Sequence, residues 1–269
     1  MVKLIVLDID DTLLDDKGSI SQETKDVIKK TMDDYKVNVT LATGRMFVSA
    51  RHIAEQIGVT APVITYQGAL IKTLSDSRTL YEQAIDSSAV KAVMQYAEQK
   101  SYHLHVYSGD VLYVKEANEK VRKYSDMHGV PYVVQPDFHA LLEAPMTKML
   151  IFEESDVVHQ AWLELSEQLQ GQCYVTKSKP YFLEIMHHEV NKGTALRMLC
   201  GYLGYELSDV MAIGDGWNDK DMLKAAGLAV AMGNAADEVK LLADDVTDTN
   251  NAEGVSKAIR KHIWQANVT

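Results

Sequence analysis

Cysteine is almost missing from this sequence: Cys173 and Cys200 are the only two, far apart and without C-x-x-C spacing. That excludes a disulfide framework and a thiolate zinc site, and leaves two reduced thiols in a core. Basic residues fall short as well, 27 against 38 acidic ones, for a formal charge of −11. This is the wrong sign for an electrostatic nucleic-acid footprint, so no nucleic-acid partner is expected, and an anionic substrate needs a metal or a local basic group to receive it. Long apolar runs are also lacking. Leu4-Ile5-Val6-Leu7 is interrupted by Asp8, Asp10 and Asp11 too early for a signal peptide, and no stretch reaches the ~18 residues of a membrane span. A cytoplasmic protein without a membrane partner is the expectation. What is present is ordinary for a globular chain: 46% hydrophobic and 24% charged residues over 269 positions, enough for one large domain or two modest ones.

The opening third reads βαβαβ. Residues 1–7 form a continuously apolar strand, and a helix opens near Ser21 with Val27, Ile28, Met32 and Tyr35 near one face. A strand at 37–42, a helix at 47–57 and a strand at 63–66 follow. This rhythm predicts a parallel sheet with helices on both faces. After about Glu82 it changes to α-β-β-α-β-α-β-β, which reads as a self-contained antiparallel block, and from Gly193 the first rhythm resumes with a strand at 210–213. The expected fold class is α/β: a doubly wound parallel sheet formed by residues 1–82 and 188–269, split by an inserted α+β domain at 83–187.

Ligands of open parallel sheets gather at the carboxyl ends of the strands. Strand one ends in Asp8-Ile9-Asp10-Asp11-Thr12, strand two in Thr43-Gly44-Arg45, and the strand after the insertion in Gly214-Asp215-Gly216-Trp217-Asn218-Asp219. Asp8, Asp10 and Asp215 at one edge repel one another unless a hard cation holds them, and oxygen ligands point to Mg²⁺ over zinc. Strand alternation sends Asp8 and Asp10 to the same side and leaves the Ile9 N–H near a ligand. Thr43 and Gly44 offer a hydroxyl and close backbone approach to a phosphate, although Thr-Gly is also an ordinary turn dipeptide. Lys192 would balance phosphate and nucleophile, although a lone lysine is more often a surface cation.

In this order, with an insertion between the second and third, the four pieces resemble the haloacid dehalogenase superfamily, and within it the Cof-type phosphatases with a large α/β cap (class IIB). The resemblance implies a phosphoric monoester hydrolase acting on small phosphorylated metabolites, sugar phosphates or phosphorylated cofactors, through an aspartyl-phosphate. It implies Asp8 as nucleophile, Asp10 as general acid and then base, and Mg²⁺ held by Asp8, the Asp10 carbonyl and Asp215. Phosphate would be held by Ile9, Thr43, Gly44, Lys192 and Asn218, with Asp219 orienting the metal shell or Lys192. A phosphomutase of the same superfamily and a non-hydrolytic phospho-Asp signalling module are the alternatives; chain length and the insertion argue against the second. His103 and His105 share a strand face, where packing is the commoner role, and His187-His188 falls at the return crossing. The sequence specifies neither the physiological substrate nor the oligomeric state.

Overall fold

The computed structural model describes residues 1–267. The chain forms two compact units, one from Met1–Tyr81 with the chain from Asn191 onward, the other from Glu82–Val190. In chain order the first unit begins with β1 (Leu4–Leu7), α1 (Gln22–Tyr35), β2 (Asn38–Leu41), α2 (Phe47–Gln56), β3 (Val63–Thr65), β4 (Leu70–Lys72) and β5 (Thr79–Glu82). The second holds α3 (Ser87–Lys100), β6 (Leu104–Ser108), β7 (Val111–Val114), α4 (Glu119–His128), β8 (Tyr132–Val134), β9 (Met146–Phe152), α5 (Ser155–Gln168), β10 (Cys173–Lys179) and β11 (Phe182–His187). The first then resumes with α6 (Lys192–Leu203), β12 (Val210–Gly214), α7 (Lys220–Ala225), β13 (Leu228–Ala231), α8 (Asp237–Lys240), β14 (Asp245–Val246) and α9 (Gly254–Ile259).

The first unit is built on a five-stranded parallel sheet in the order β14-β13-β12-β1-β2. β1 lies inside it, and all four of its residues are fully buried, which is why its sequence is an uninterrupted apolar run. Leu4 and Val6 pack with Leu196 and Leu199 of α6 and Met222 and Leu223 of α7. Register decides what meets at the carboxyl edge. Leu7 pairs with Ile213 on one side and with Leu41 on the other, so the residues after β1, β12 and β2 emerge together. The strand order reverses direction at β1, the kind of switch point where such sheets open a crevice.

α1 starts where Ser21 Oγ accepts the Thr24 N–H at 3.0 Å, and ends at Lys36, whose φ of 57° is left-handed. It buries Val27 and Ile28, while Tyr35 stacks on Trp264 at 5.8 Å between centroids. Two expectations need correction. Among the described residues β3 pairs with the main sheet only at the Ala42–Ile64 bridge, because the chain reverses at Tyr66–Gly68 and pairs β3 antiparallel with β4. The inserted sheet, in the order β10-β11-β9-β6-β7-β8, is mixed and not purely antiparallel, since β8 pairs parallel with β7. β8 is only three residues long, set between Pro131 and Pro136 with half-exposed Val133 and Val134, so its sequence reads as a connection and not as a strand.

One face of the inserted sheet carries Leu104, Val106, Met149, Ile151, Leu183 and Ile185 into an apolar core. The histidines lie on the opposite face of β6. Asn118 Oδ1 caps α4, which leaves its Nδ2 to donate to His103 Nδ1 at 3.0 Å. His103 Nε2–H then donates to His105 Nε2 at 3.0 Å, and both rings are neutral. Burial, with Lys120 adding to it, pushes His103 down to about 4, and burial holds His105 well below the usual histidine range. His187 Nδ1 accepts the Glu189 N–H at 3.2 Å. Among the described residues, no helix is long and apolar enough to cross a membrane.

Candidate active site

β1 ends at Leu7, and Asp8 turns its carboxylate into the interior, 5% exposed, where Lys192 meets it. Lys192 is the first residue of α6, set there by Asn191, whose Oδ1 accepts the Thr194 N–H at 2.7 Å. Its ammonium is fully buried and donates to Asp8 Oδ1 at 2.5 Å and to Asp219 Oδ1 at 2.6 Å. Burial alone would lower the Lys192 pKa, but the charges of Asp219 and Asp8 outweigh it and raise the group above its ordinary value. Lys192 is therefore a fixed cation. Asp219 Oδ2 accepts the backbone N–H groups of Asp215 and Gly216 at 3.1 and 2.9 Å, so both its oxygens are committed. Gly214 has to be glycine, because a Cβ there would overlap the Asp219 carboxylate.

Asp8, Asp215 and Asp219 present oxygens that all lie within 4.8 Å of one another, more than two hundred residues apart in sequence at the extremes. Asp215 Oδ1 accepts from the Thr12 hydroxyl at 2.8 Å. Burial, opposed by the Thr12 bond and reinforced by Asp219 and Asp11, pushes Asp215 up to about 6. Burial and Asp219 also raise Asp8 well above the carboxylate range despite Lys192. One ammonium thus faces three carboxylates. The second oxygens of Asp8 and Asp215 accept from no donor among the described residues, and the donor set is all oxygen, which fits a hard divalent cation such as Mg²⁺. A cavity of about 320 Å³ lined by Asp11, Asp16, Asp215, Asn234 and Asn250 opens beside this cluster.

Asp10 does not share the buried cluster. The alternation expected to align it with Asp8 fails because the strand stops at Leu7 and the chain coils, with Asp11 at a left-handed φ of 59°. The Asp10 side chain is 55% exposed and held by Arg45, with Nε donating to Oδ2 at 3.0 Å and Nη2 to Oδ1 at 2.6 Å. Thr43 is fully buried, and its Oγ1 accepts the Arg45 N–H at 3.1 Å, so the hydroxyl proton is left to point elsewhere. Gly44 leaves room for the side chain of Gln67, whose Oε1 accepts from Asn218 Nδ2 at 3.0 Å. Ile9 is buried in the turn after Asp8. Sequence reading assigned no role to Arg45, Thr12 or Gln67. Arg45 and Thr12 adjoin residues already singled out, whereas Gln67 carried no signal.

The model of the haloacid dehalogenase-like hydrolases matches residues 5–259. A 5-amino-6-(5-phospho-D-ribitylamino)uracil phosphatase of Bacillus subtilis is 30% identical, over 96% of this chain and 95% of its own. A Thermotoga maritima protein solved by X-ray crystallography is 33% identical, covers 97% of each chain and superposes with a TM-score of 0.89. A subclass IIB sugar phosphatase of the same superfamily, 25% identical, superposes with a TM-score of 0.84 over 97% of this chain and 98% of its own. With the parallel sheet, the inserted α+β unit and a match spanning nearly the whole chain, this protein belongs to the haloacid dehalogenase-like hydrolases, in their Cof-type branch.

Proposed function

We propose that this phosphatase hydrolyses small phosphate monoesters in a Mg²⁺-dependent reaction, with Asp8 as the nucleophile of an aspartyl-phosphate. The observation that carries the reading is the buried triad Asp8–Lys192–Asp219. A carboxylate at the mouth of a parallel sheet is there pinned by a permanent cation, with its second oxygen left uncommitted. The relatives named as phosphatases of a sugar and of a phosphorylated ribityl compound favour a small polyhydroxylated substrate.

The Asp8 oxygen attacks phosphorus, the Asp8–phosphate bond forms, and the ester P–O bond breaks in line. Asp10 gives a proton to the departing alkoxide. It then takes one from the water that attacks the acyl phosphate, so that inorganic phosphate leaves and Asp8 is restored. Lys192, the Thr43 hydroxyl and the backbone N–H groups at Ile9 and Gly44 hold the phosphoryl oxygens, with Asn218 beside them. Asp219 keeps Lys192 oriented and braces the Asp215 turn through the two backbone N–H groups it accepts. Asp8, the Asp10 carbonyl and Asp215 would hold Mg²⁺, which when bound neutralises phosphate charge and lets the substrate approach an anionic nucleophile.

Phosphate release from p-nitrophenyl phosphate and a panel of sugar phosphates tests this. Turnover that requires Mg²⁺, stops with EDTA and vanishes in Asp8→Asn is expected. Full activity in Asp8→Asn would reject the nucleophile, and an isomeric phosphate ester in place of inorganic phosphate would make the protein a mutase.

A further inference from the structure

The reversal at Tyr66–Gly68 touches three of the segments that build the phosphate site: the Thr43–Arg45 loop, the start of the Lys192 helix and Asn218. Tyr66 and Gln67 are consecutive non-glycine residues with φ of 52° and 58°, followed by Gly68 at 106°. Side-chain-bearing residues adopt this region reluctantly, and they stay in it only where their surroundings hold them. Here the restraints are visible. The Tyr66 N–H donates to the Arg45 carbonyl at 3.1 Å, and the Gln67 N–H to the Thr43 carbonyl at 2.9 Å. Gly68 packs so closely against the Asn191 carbonyl, at the start of the helix carrying Lys192, that a Cβ would collide with it. The strained turn is thus bonded to the Thr43–Arg45 loop and wedged against the Lys192 helix.

Its product is the placement of one amide. Gln67 Oε1 accepts from Asn218, an otherwise exposed side chain, and Gln67 Nε2 occupies the place a side chain on Gly44 would take. That Nε2 donates to no acceptor among the described residues, and it stands over the Thr43-Gly44 turn. An exposed asparagine without such a partner samples several rotamers, and fixing it before the substrate arrives removes an entropic cost of binding.

We propose that Gln67 is a positioning residue of the phosphate site, its amide locking Asn218 while it lies over Gly44, and that the backbone strain at Tyr66 and Gln67 serves to aim it. This rests on the phosphatase reading above. A glycine at position 67 would suit the positive φ but lose the amide, which separates strain from function. A glutamate would keep an acceptor for Asn218 but place a carboxylate over the turn that receives phosphate.

The test compares the wild type with Gln67→Leu, Gln67→Gly and Gln67→Glu in Mg²⁺. The readouts are KM and kcat for p-nitrophenyl phosphate, Ki for inorganic phosphate, and Tm. Gln67→Leu should raise KM and Ki on the order of tenfold, with a smaller fall in kcat. Gln67→Gly should show the same rise with Tm held or increased, and Gln67→Glu a larger rise in Ki than Gln67→Leu. In an Asn218→Ala background, Gln67→Leu should add little, because the two act as a unit. Unmoved KM and Ki in Gln67→Leu and Gln67→Glu, with normal wild-type turnover, overturn the proposal alone. So does a loss that follows Tm across all three variants. No phosphate release by the wild type from that ester or from a sugar-phosphate panel overturns the phosphatase reading, and this proposal with it.

Discussion

Arg45 grips Asp10 through two parallel bonds, Nε to Oδ2 at 3.0 Å and Nη2 to Oδ1 at 2.6 Å. An exposed ion pair contributes only about 0–1 kcal/mol to stability, but a forked guanidinium fixes where a carboxylate points. Both Asp10 oxygens are occupied, so the pair must loosen before Asp10 can protonate a leaving group. On the proposed mechanism, a phosphate dianion competing for the guanidinium would supply that release. Arg45→Ala is expected to lower kcat/KM by roughly ten- to hundredfold, with Tm almost unmoved. Arg45→Lys is expected not to restore it, because an ammonium lacks the fork. Steady-state kinetics with wild-type values in both variants would remove Arg45 from the mechanism.

Metal binding by the acid cluster is expected to depend on pH. Asp215 rises from 3.8 to about 6 on folding, chiefly through burial. Between those values the metal-free native state binds more protons than the unfolded chain, so its stability falls as pH rises through that window. Asp8 shifts in the same direction. A Mg²⁺ ion held by these carboxylates would have to displace their protons, so its apparent affinity is expected to climb with pH as Asp215 ionises at about 6 and as the raised Asp8 follows. Thermal melts in EDTA and calorimetric Mg²⁺ titrations across this range check both trends. A flat Mg²⁺ affinity would show that Asp215 is not a ligand.

In the inserted unit, Lys148 and Glu184 form a buried pair at 3.1 Å, their side chains 3% and 7% exposed. Ser178 also donates to Glu184 Oε1, at 2.9 Å, and the Lys148 ammonium lies 5.0 Å from the centre of the Tyr107 ring. Lys148→Met strands a buried carboxylate and is expected to cost about 3–5 kcal/mol. Lys148→Met combined with Glu184→Leu should recover most of that. Urea denaturation followed by circular dichroism measures both, and a double variant no more stable than the single one would contradict the account.

The positions of the motifs were legible along the chain because parallel-sheet strands are short apolar runs whose next residues must face the ligand edge. Asp8, Thr43 and Asp215 follow β1, β2 and β12, and Asn191-Lys192 is a cap followed by a helix. Asp10 shows the limit. Its spacing from Asp8 suggested a shared face, but alternation holds only while a strand continues, and β1 stops at Leu7. The edge strand β8, three residues between two prolines, was too short to be read.

Composition and local pattern by themselves determined the two-part α/β organisation and which polar residues end the strands, since burial on both sheet faces enforces apolar runs and leaves carboxylates only at their ends. Tertiary structure alone decided which of those groups touch. The Leu7–Ile213 register brings Asp8 beside Asp215, the charges of Asp8 and Asp219 hold the buried Lys192 as a permanent cation between them, and the reversed turn at Tyr66–Gly68 aims Gln67 at Asn218. Such contacts depend on strand register and on the strain a packed surrounding can sustain, and neither is written in the spacing of residues along a chain.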